Sequence, residues 1–175
     1  MNTSLRIISY NCKNIKTCVP VLHKLFIKND VILIQEHWLL QAQIHLIGEL
    51  HSQINYAAKE VDINDPLLPI SMPRGYGGVA VIWKNEIDHL VWPIQDGSEK
   101  IQAVEIQGKA GERLILISVY LPAKGSKNHQ IEYQDCVDQL YELYQKYRDS
   151  HTIVIGGDMN EDLKASEIDY FLHNL

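Results

Sequence analysis

The sequence predicts an α/β domain in which helices and more than one β-sheet are layered, and three observations carry this. Short apolar runs bounded by polar residues recur along the chain, at the length of buried strands. Their order reads strand–helix–strand–helix, then several adjacent strands, then helix–strand, which requires layers. The 175 residues, 46% hydrophobic and 22% charged, suit one globular domain spanning residues 1–175. A core of that size needs no disulfide or structural metal.

Residues 5–11 form the first apolar run and end in polar residues. Val19, Leu22, Leu25 and Phe26 follow at helical spacing around Pro20, a residue suited to a first helical turn. Val31–Gln35 is continuously apolar up to its last letter and reads as a central strand. Residues 39–50 read as a second, loosely periodic helix. The three prolines between residues 62 and 73 mark a loop. Strand-like segments then occupy residues 77–83, 90–94, 101–106 and 114–121, with a glycine-bounded turn at 108–111. Tyr133, Val137, Leu140, Tyr144 and Tyr147 place one apolar stripe along a helix, facing the core. Residues 152–155 predict a last strand, and residues 165–175 the start of another helix.

The formal charge of −6 excludes a domain that holds nucleic acid by positive charge alone, but not an enzyme that meets phosphate through a metal ion. Three cysteines without a CxxC pair predict reduced thiols rather than disulfides or a zinc site. With no signal-peptide pattern at the start and no apolar run of membrane-spanning length, the expectation is an intracellular, unsecreted, monomeric protein with no membrane partner.

Three strands end in polar residues: at Asn11, at Gln35-Glu36, and at Gly157-Asp158-Met159-Asn160. Active sites of α/β folds gather where the carboxyl ends of strands meet. Glu36 and Asp158 would supply two carboxylates to one rim, and Asn11 and Asn160 two amides. Such hard oxygen donors suit Mg²⁺, which takes few protein ligands and keeps waters and phosphate oxygens. Each residue taken alone is more readily a helix cap or turn residue; that all four follow apolar strands speaks against coincidence, and periodicity does not decide between the roles.

Asn11, Gln35-Glu36, Arg74-Gly75-Tyr76-Gly77-Gly78-Val79-Ala80, Ser118-Val119-Tyr120-Leu121-Pro122 and Gly157-Asp158-Met159-Asn160 resemble, in order, the motifs of the endonuclease/exonuclease/phosphatase superfamily. The wording is closest to the apurinic-type endonuclease domain of non-LTR retrotransposons, a branch favoured by Glu36-His37-Trp38-Leu39 and the doubled glycine before Val79. The resemblance implies a four-layer αββα sandwich and a metal-dependent phosphodiesterase acting on duplex DNA. By motif, Glu36 would bind Mg²⁺ (or Mn²⁺), with Asn11 beside it. Asp158 would orient or deprotonate the attacking water, Asn160 would donate to a phosphate oxygen, and Tyr120 would sit near the scissile phosphate. Arg74 and Tyr76 are candidates for substrate contact, by charge and by stacking; ordinary loop decoration accounts for them equally well.

The family completes its site with a C-terminal Asp-His pair. Here Asp88-His89 is the only such pair, and it lies between early strands. It therefore reads as a surface turn. The expectation is a domain lacking its C-terminal strands, with an open sheet edge and weak or absent catalysis. Two alternatives stand beside the DNA endonuclease: a phosphatase or lipid phosphodiesterase of the same superfamily, and a non-catalytic binding module. Residues 156–175 carry five acids and one lysine, which places the negative charge around the proposed metal rim and beyond it.

Overall fold

The computed structural model describes residues 4–64, 75–108, 110–125 and 129–160. Strand β1 (Ile7–Asn11) leads through a short 3-10 turn into helix α1 (Val19–Lys28) and strand β2 (Val31–Gln35). Strands β3 (Ile54–Lys59), β4 (Val79–Lys84), β5 (Val91–Ser98), β6 (Ile101–Gln107) and β7 (Arg113–Tyr120) follow. Helix α2 (His129–Tyr147) then crosses to strand β8 (Thr152–Asp158). The helix predicted beyond residue 165 lies outside the described residues.

Two four-stranded sheets result, ordered β1-β2-β4-β3 and β5-β6-β7-β8. Each is mixed: β1 and β2 run parallel, as do β7 and β8, while the remaining pairs are antiparallel. The parallel pairs follow from the helices, because a parallel return needs a crossover long enough to hold one.

Three apolar layers hold these sheets. Val31, Leu33, Val81 and Trp83 of one sheet meet Val104, Ile106 and Leu116 of the other. Ile32, Ile34, Ala80 and Ile82 face outward onto Leu22 and Phe26 of α1. Ala103, Ile115 and Ile117 face outward onto Tyr133, Cys136, Val137, Leu140 and Leu143 of α2. The architecture is the expected αββα sandwich. Strand β2 is buried along its whole length, which is why it reads as an apolar run rather than an alternation. The stripe on α2 faces the core as predicted, with Cys136 and Leu143 widening it and Tyr144 and Tyr147 at its partly buried end.

Two segments differ from the sequence reading. Residues 41–47 form a 3-10 turn rather than a helix of twelve residues, consistent with their loose periodicity. Strand β3, absent from the prediction, pairs with β4 on one side only among the described residues and shows no apolar–polar alternation. Strand β8 likewise pairs only with β7 among the described residues, and Val154 on it is 38% exposed. The three cysteines are free. No helix of the described residues is long and apolar enough to cross a membrane.

Candidate functional site

The two parallel strand pairs, one from each sheet, bring their carboxyl ends to a common edge. Asn11 and Gln35 are register partners at the ends of β1 and β2, and Tyr120 and Asp158 at the ends of β7 and β8. Close approach of the sheets depends on Gly156, where a Cβ would lie 2.7 Å from the Leu33 side chain. A larger residue there would push β8 away from β1 and β2.

Across that gap the Asn11 amide binds both carboxylates. Its Nδ2 donates to Glu36 Oε1 at 2.7 Å and to Asp158 Oδ2 at 2.8 Å. The other Asp158 oxygen accepts from the Asn160 backbone N–H at 3.1 Å, and the Asn160 side chain donates to the Leu121 carbonyl at 2.6 Å. Asn160 adopts a positive φ of 50°, a conformation asparagine tolerates better than most residues. Tyr120 closes the group. Burial raises its phenol above the ordinary value, and the Glu36 and Asp158 charges push the same way; a hydrogen bond from Asn160 opposes them, and one to Glu36 raises it further. Tyr120 is therefore a neutral hydrogen-bond donor at physiological pH.

The rim is held from below by a polar chain between the sheets. Ser9 Oγ donates to Gln35 Oε1 at 3.2 Å, Gln35 Nε2 donates to Ser118 Oγ at 3.0 Å, and Ser118 Oγ donates to the Ile34 carbonyl at 2.9 Å. Gln35 and Ser118 are completely buried, so their hydrogen bonds are obligatory. Neither had a role in the sequence reading; the signal was a glutamine closing an apolar strand.

The turn that follows β2 sets the direction of Glu36. Glu36 and Trp38 both adopt positive φ, 57° and 59°, rare for side chains of this size. His37 between them is buried and acts as a pin. Its Nδ1 accepts the Leu39 N–H at 3.0 Å, so Nε2 carries the proton and donates to the Lys59 carbonyl at 3.0 Å. Burial lowers the imidazole pKa to about 4, keeping it neutral. The doubled glycine has its reason here: Gly78 has a φ of 76°, and a Cβ on it would lie 2.3 Å from the His37 ring. On the outer side, the Trp38 indole donates to Glu36 Oε2 at 3.1 Å, and the Tyr76 ring lies 5.0 Å from the Trp38 ring at 61°.

Of the residues singled out in the sequence, Asn11, Glu36, Asp158, Asn160 and Tyr120 thus converge, and Tyr76 borders them through Trp38. Arg74 lies outside the described residues. Asp88-His89 sits exposed in a 3-10 turn, where Asp88 accepts the Trp83 indole N–H; it is a surface feature, as expected. Among the described residues no cluster of three or more His, Cys, Asp or Glu side chains forms. The donor set is instead two carboxylates with one amide between them. That set fits Mg²⁺ or Mn²⁺, ions held by one or two carboxylates and completed by water and phosphate oxygens.

The sequence matches the Endonuclease/Exonuclease/phosphatase family over residues 8–175. It matches no curated protein. Among solved structures, the fold is similar to that of the APE2 catalytic domain of Xenopus laevis (TM-score 0.69, 16% identity, covering 97% of this chain and 67% of that one). It is similar also to the endonuclease domain of TRAS1, a telomere-specific non-LTR retrotransposon (0.66, 16%, 98% and 70%). A third is the 3′ phosphatase NExo from Neisseria, bound to product DNA hairpin (0.66, 17%, 97% and 69%). The AP endonuclease LMAP of Leishmania major is matched over 88% of this chain but only 54% of its own length. At such identities the likeness speaks for the fold, and the family match carries the assignment: the chain belongs to the Endonuclease/Exonuclease/phosphatase family of metal-dependent nucleases and phosphatases.

Proposed function

We propose that the chain is a phosphodiesterase that acts on DNA with Mg²⁺, of the retrotransposon endonuclease type, and that its turnover is slow. The observation that carries this is the Asn11 amide bound at once to Glu36 and Asp158. Two carboxylates from different sheets share one donor, at a place where a cation would serve both more strongly. Glu36, with Asn11 beside it, would hold Mg²⁺. When bound, the ion supplies positive charge to the phosphate oxygens and to the developing charge of the transition state.

The rest falls to the chain's own side chains. Asp158, fixed by the Asn160 N–H and the Asn11 amide, keeps a carboxylate oriented to take the proton of an attacking water. Tyr120 can turn its hydroxyl from Glu36 to a phosphate oxygen, because its raised pKa leaves the proton in place. Asn160 is anchored through the Leu121 carbonyl and can turn its other amide hydrogen from Tyr120 to the same phosphate. The described rim has no histidine to protonate the leaving oxygen, since both ring nitrogens of His37 are engaged in the core. A rim without such an acid would turn over about 10²–10⁴-fold more slowly.

The test is hydrolysis of supercoiled plasmid and of phosphorylated inositols, each with Mg²⁺ and with chelator. Slow, Mg²⁺-dependent nicking with no inositol turnover supports the proposal. Faster turnover of inositol phosphates would move the chain to the phosphatase branch. No hydrolysis and no Mg²⁺-dependent DNA binding would leave a non-catalytic module.

A further inference from the structure

The two oxygens of Glu36 stand in different surroundings. Oε1 shares the Asn11 amide with Asp158 and so faces the rim, at 2.7 Å from that nitrogen. Oε2 points to the other side, where the Trp38 indole N–H holds it at 3.1 Å. The indole is itself fixed. The Trp38 backbone N–H donates to the Gly77 carbonyl at 3.0 Å, and the Trp38 backbone carbonyl lies 2.9 Å from where a Cβ on Gly75 would stand. The Tyr76 ring lies against it. Trp38 meets these contacts at a φ of 59°, a strained conformation for a bulky side chain, which persists where the surroundings impose it. Such strain at a ligand's neighbour is informative when it aims a group, and here it aims an N–H at a carboxylate.

Resting on the metal-dependent reading above, we propose that Trp38 is a positioning residue: its N–H on Oε2 turns Glu36 to meet the cation end-on through Oε1, where the Asn11 amide gives way, and so selects small octahedral ions over Ca²⁺. A carboxylate with both oxygens open can bind side-on, which suits the longer bonds and higher coordination number of Ca²⁺. A carboxylate with one oxygen tied off binds end-on, as Mg²⁺ and Mn²⁺ require. Trp38 need not touch substrate or metal to do this, and its effect passes entirely through Glu36. Hydrogen-bond partners of metal ligands commonly carry 10–100-fold of the metal affinity.

The experiment is calorimetric titration of Mn²⁺ and, separately, Ca²⁺ into the whole chain and its Trp38→Phe variant, with thermal melts of both proteins. Phenylalanine keeps an aromatic ring beside Tyr76 and removes only the N–H. The expected result is a Mn²⁺ affinity lowered about 10-fold or more, with Ca²⁺ affinity lowered less or raised, so that the preference between the ions collapses. An unchanged preference in a folded variant overturns the proposal and leaves the metal reading intact. A wild-type chain that binds neither ion overturns both. If Trp38→Phe does not fold, the wild-type chain labelled with ¹⁵N-tryptophan carries the test. One of its three indole N–H resonances should move with Mg²⁺, following the calorimetric isotherm, and stay still in Glu36→Gln. Three unmoved resonances in the wild type overturn the proposal.

Discussion

Gln35 donates its side-chain N–H to Ser118 Oγ at 3.0 Å, across the interior that the two sheets enclose. This bond ties the end of β2, and so the position of Glu36, to the strand that ends in Tyr120. Removing the acceptor in Ser118→Ala leaves a fully buried amide hydrogen without a partner, at a cost of about 1–3 kcal/mol. Replacing both partners, Gln35→Leu with Ser118→Ala, should cost less than the two single changes added together, because no buried donor is then orphaned and the exposed Ser9 hydroxyl turns to water. Urea denaturation of the four proteins measures the coupling directly, and additive costs would argue against the tie.

Gly78 carries two constraints at once, a positive φ and a buried imidazole against its Cα. Alanine there should destabilise the chain by at least ~1–2 kcal/mol from the backbone conformation alone. The His37 ring cannot yield without breaking its bonds to Leu39 and Lys59. A thermal melt of Gly78→Ala should show the loss, together with weaker Mg²⁺ binding, because the same turn carries Glu36.

Asp30 gives the fold an acid-sensitive fastening away from the rim. The Arg6 guanidinium donates to both of its oxygens, at 3.1 and 2.9 Å, and Lys84 stands 3.4 Å away. The Arg6 hydrogen bonds hold the Asp30 carboxyl down at about 2, against an ordinary 3.8. A carboxyl depressed by folding stabilises the protein above its unfolded pKa, and that contribution is lost as pH falls from about 3.8 through about 2. The wild type should therefore exceed Asp30→Asn in stability at pH 5, and the difference should shrink as pH falls through about 2 and vanish only below it. Denaturation curves across that window check the sign.

Tyr120 is assigned a donor's part, so Tyr120→Phe should lower any Mg²⁺-dependent hydrolysis by about 10²–10³-fold. The melting temperature should change little, since the ring and its packing remain. Equal rates in the two proteins would remove the hydroxyl from the chemistry.

Much of this architecture was legible because burial writes itself into short apolar runs. Val31–Gln35 is buried on both faces, and its continuous apolar letters predicted a central strand. The α2 stripe read correctly because its inward positions recur at helical spacing. The converging polar residues were visible because each ends a strand, where an apolar pattern stops abruptly. Strand β3 escaped notice because β4 dictates its conformation, whereas Ile54, Tyr56, Ala57 and Ala58 show no alternation of their own. The parts of His37 and Trp38 were invisible for a different reason. They depend on a backbone turn of alternating handedness after β2, which brings an imidazole inward and an indole back onto Glu36, and no residue spacing encodes that direction.

A divalent-cation site formed by Glu36, Asn11 and Asp158 is tested most directly by the melting temperature with and without Mg²⁺ for wild type and Glu36→Gln. A ligand at 100 times its Kd adds about 2.7 kcal/mol to a folded protein, and each kcal/mol shifts Tm by about 2–4 °C for a chain of this length. The wild type should rise by roughly 5–10 °C at saturating Mg²⁺ and return to its starting value with chelator, while Glu36→Gln stays where it began. An equal rise in both proteins, or no rise in the wild type at any Mg²⁺ concentration, would contradict it.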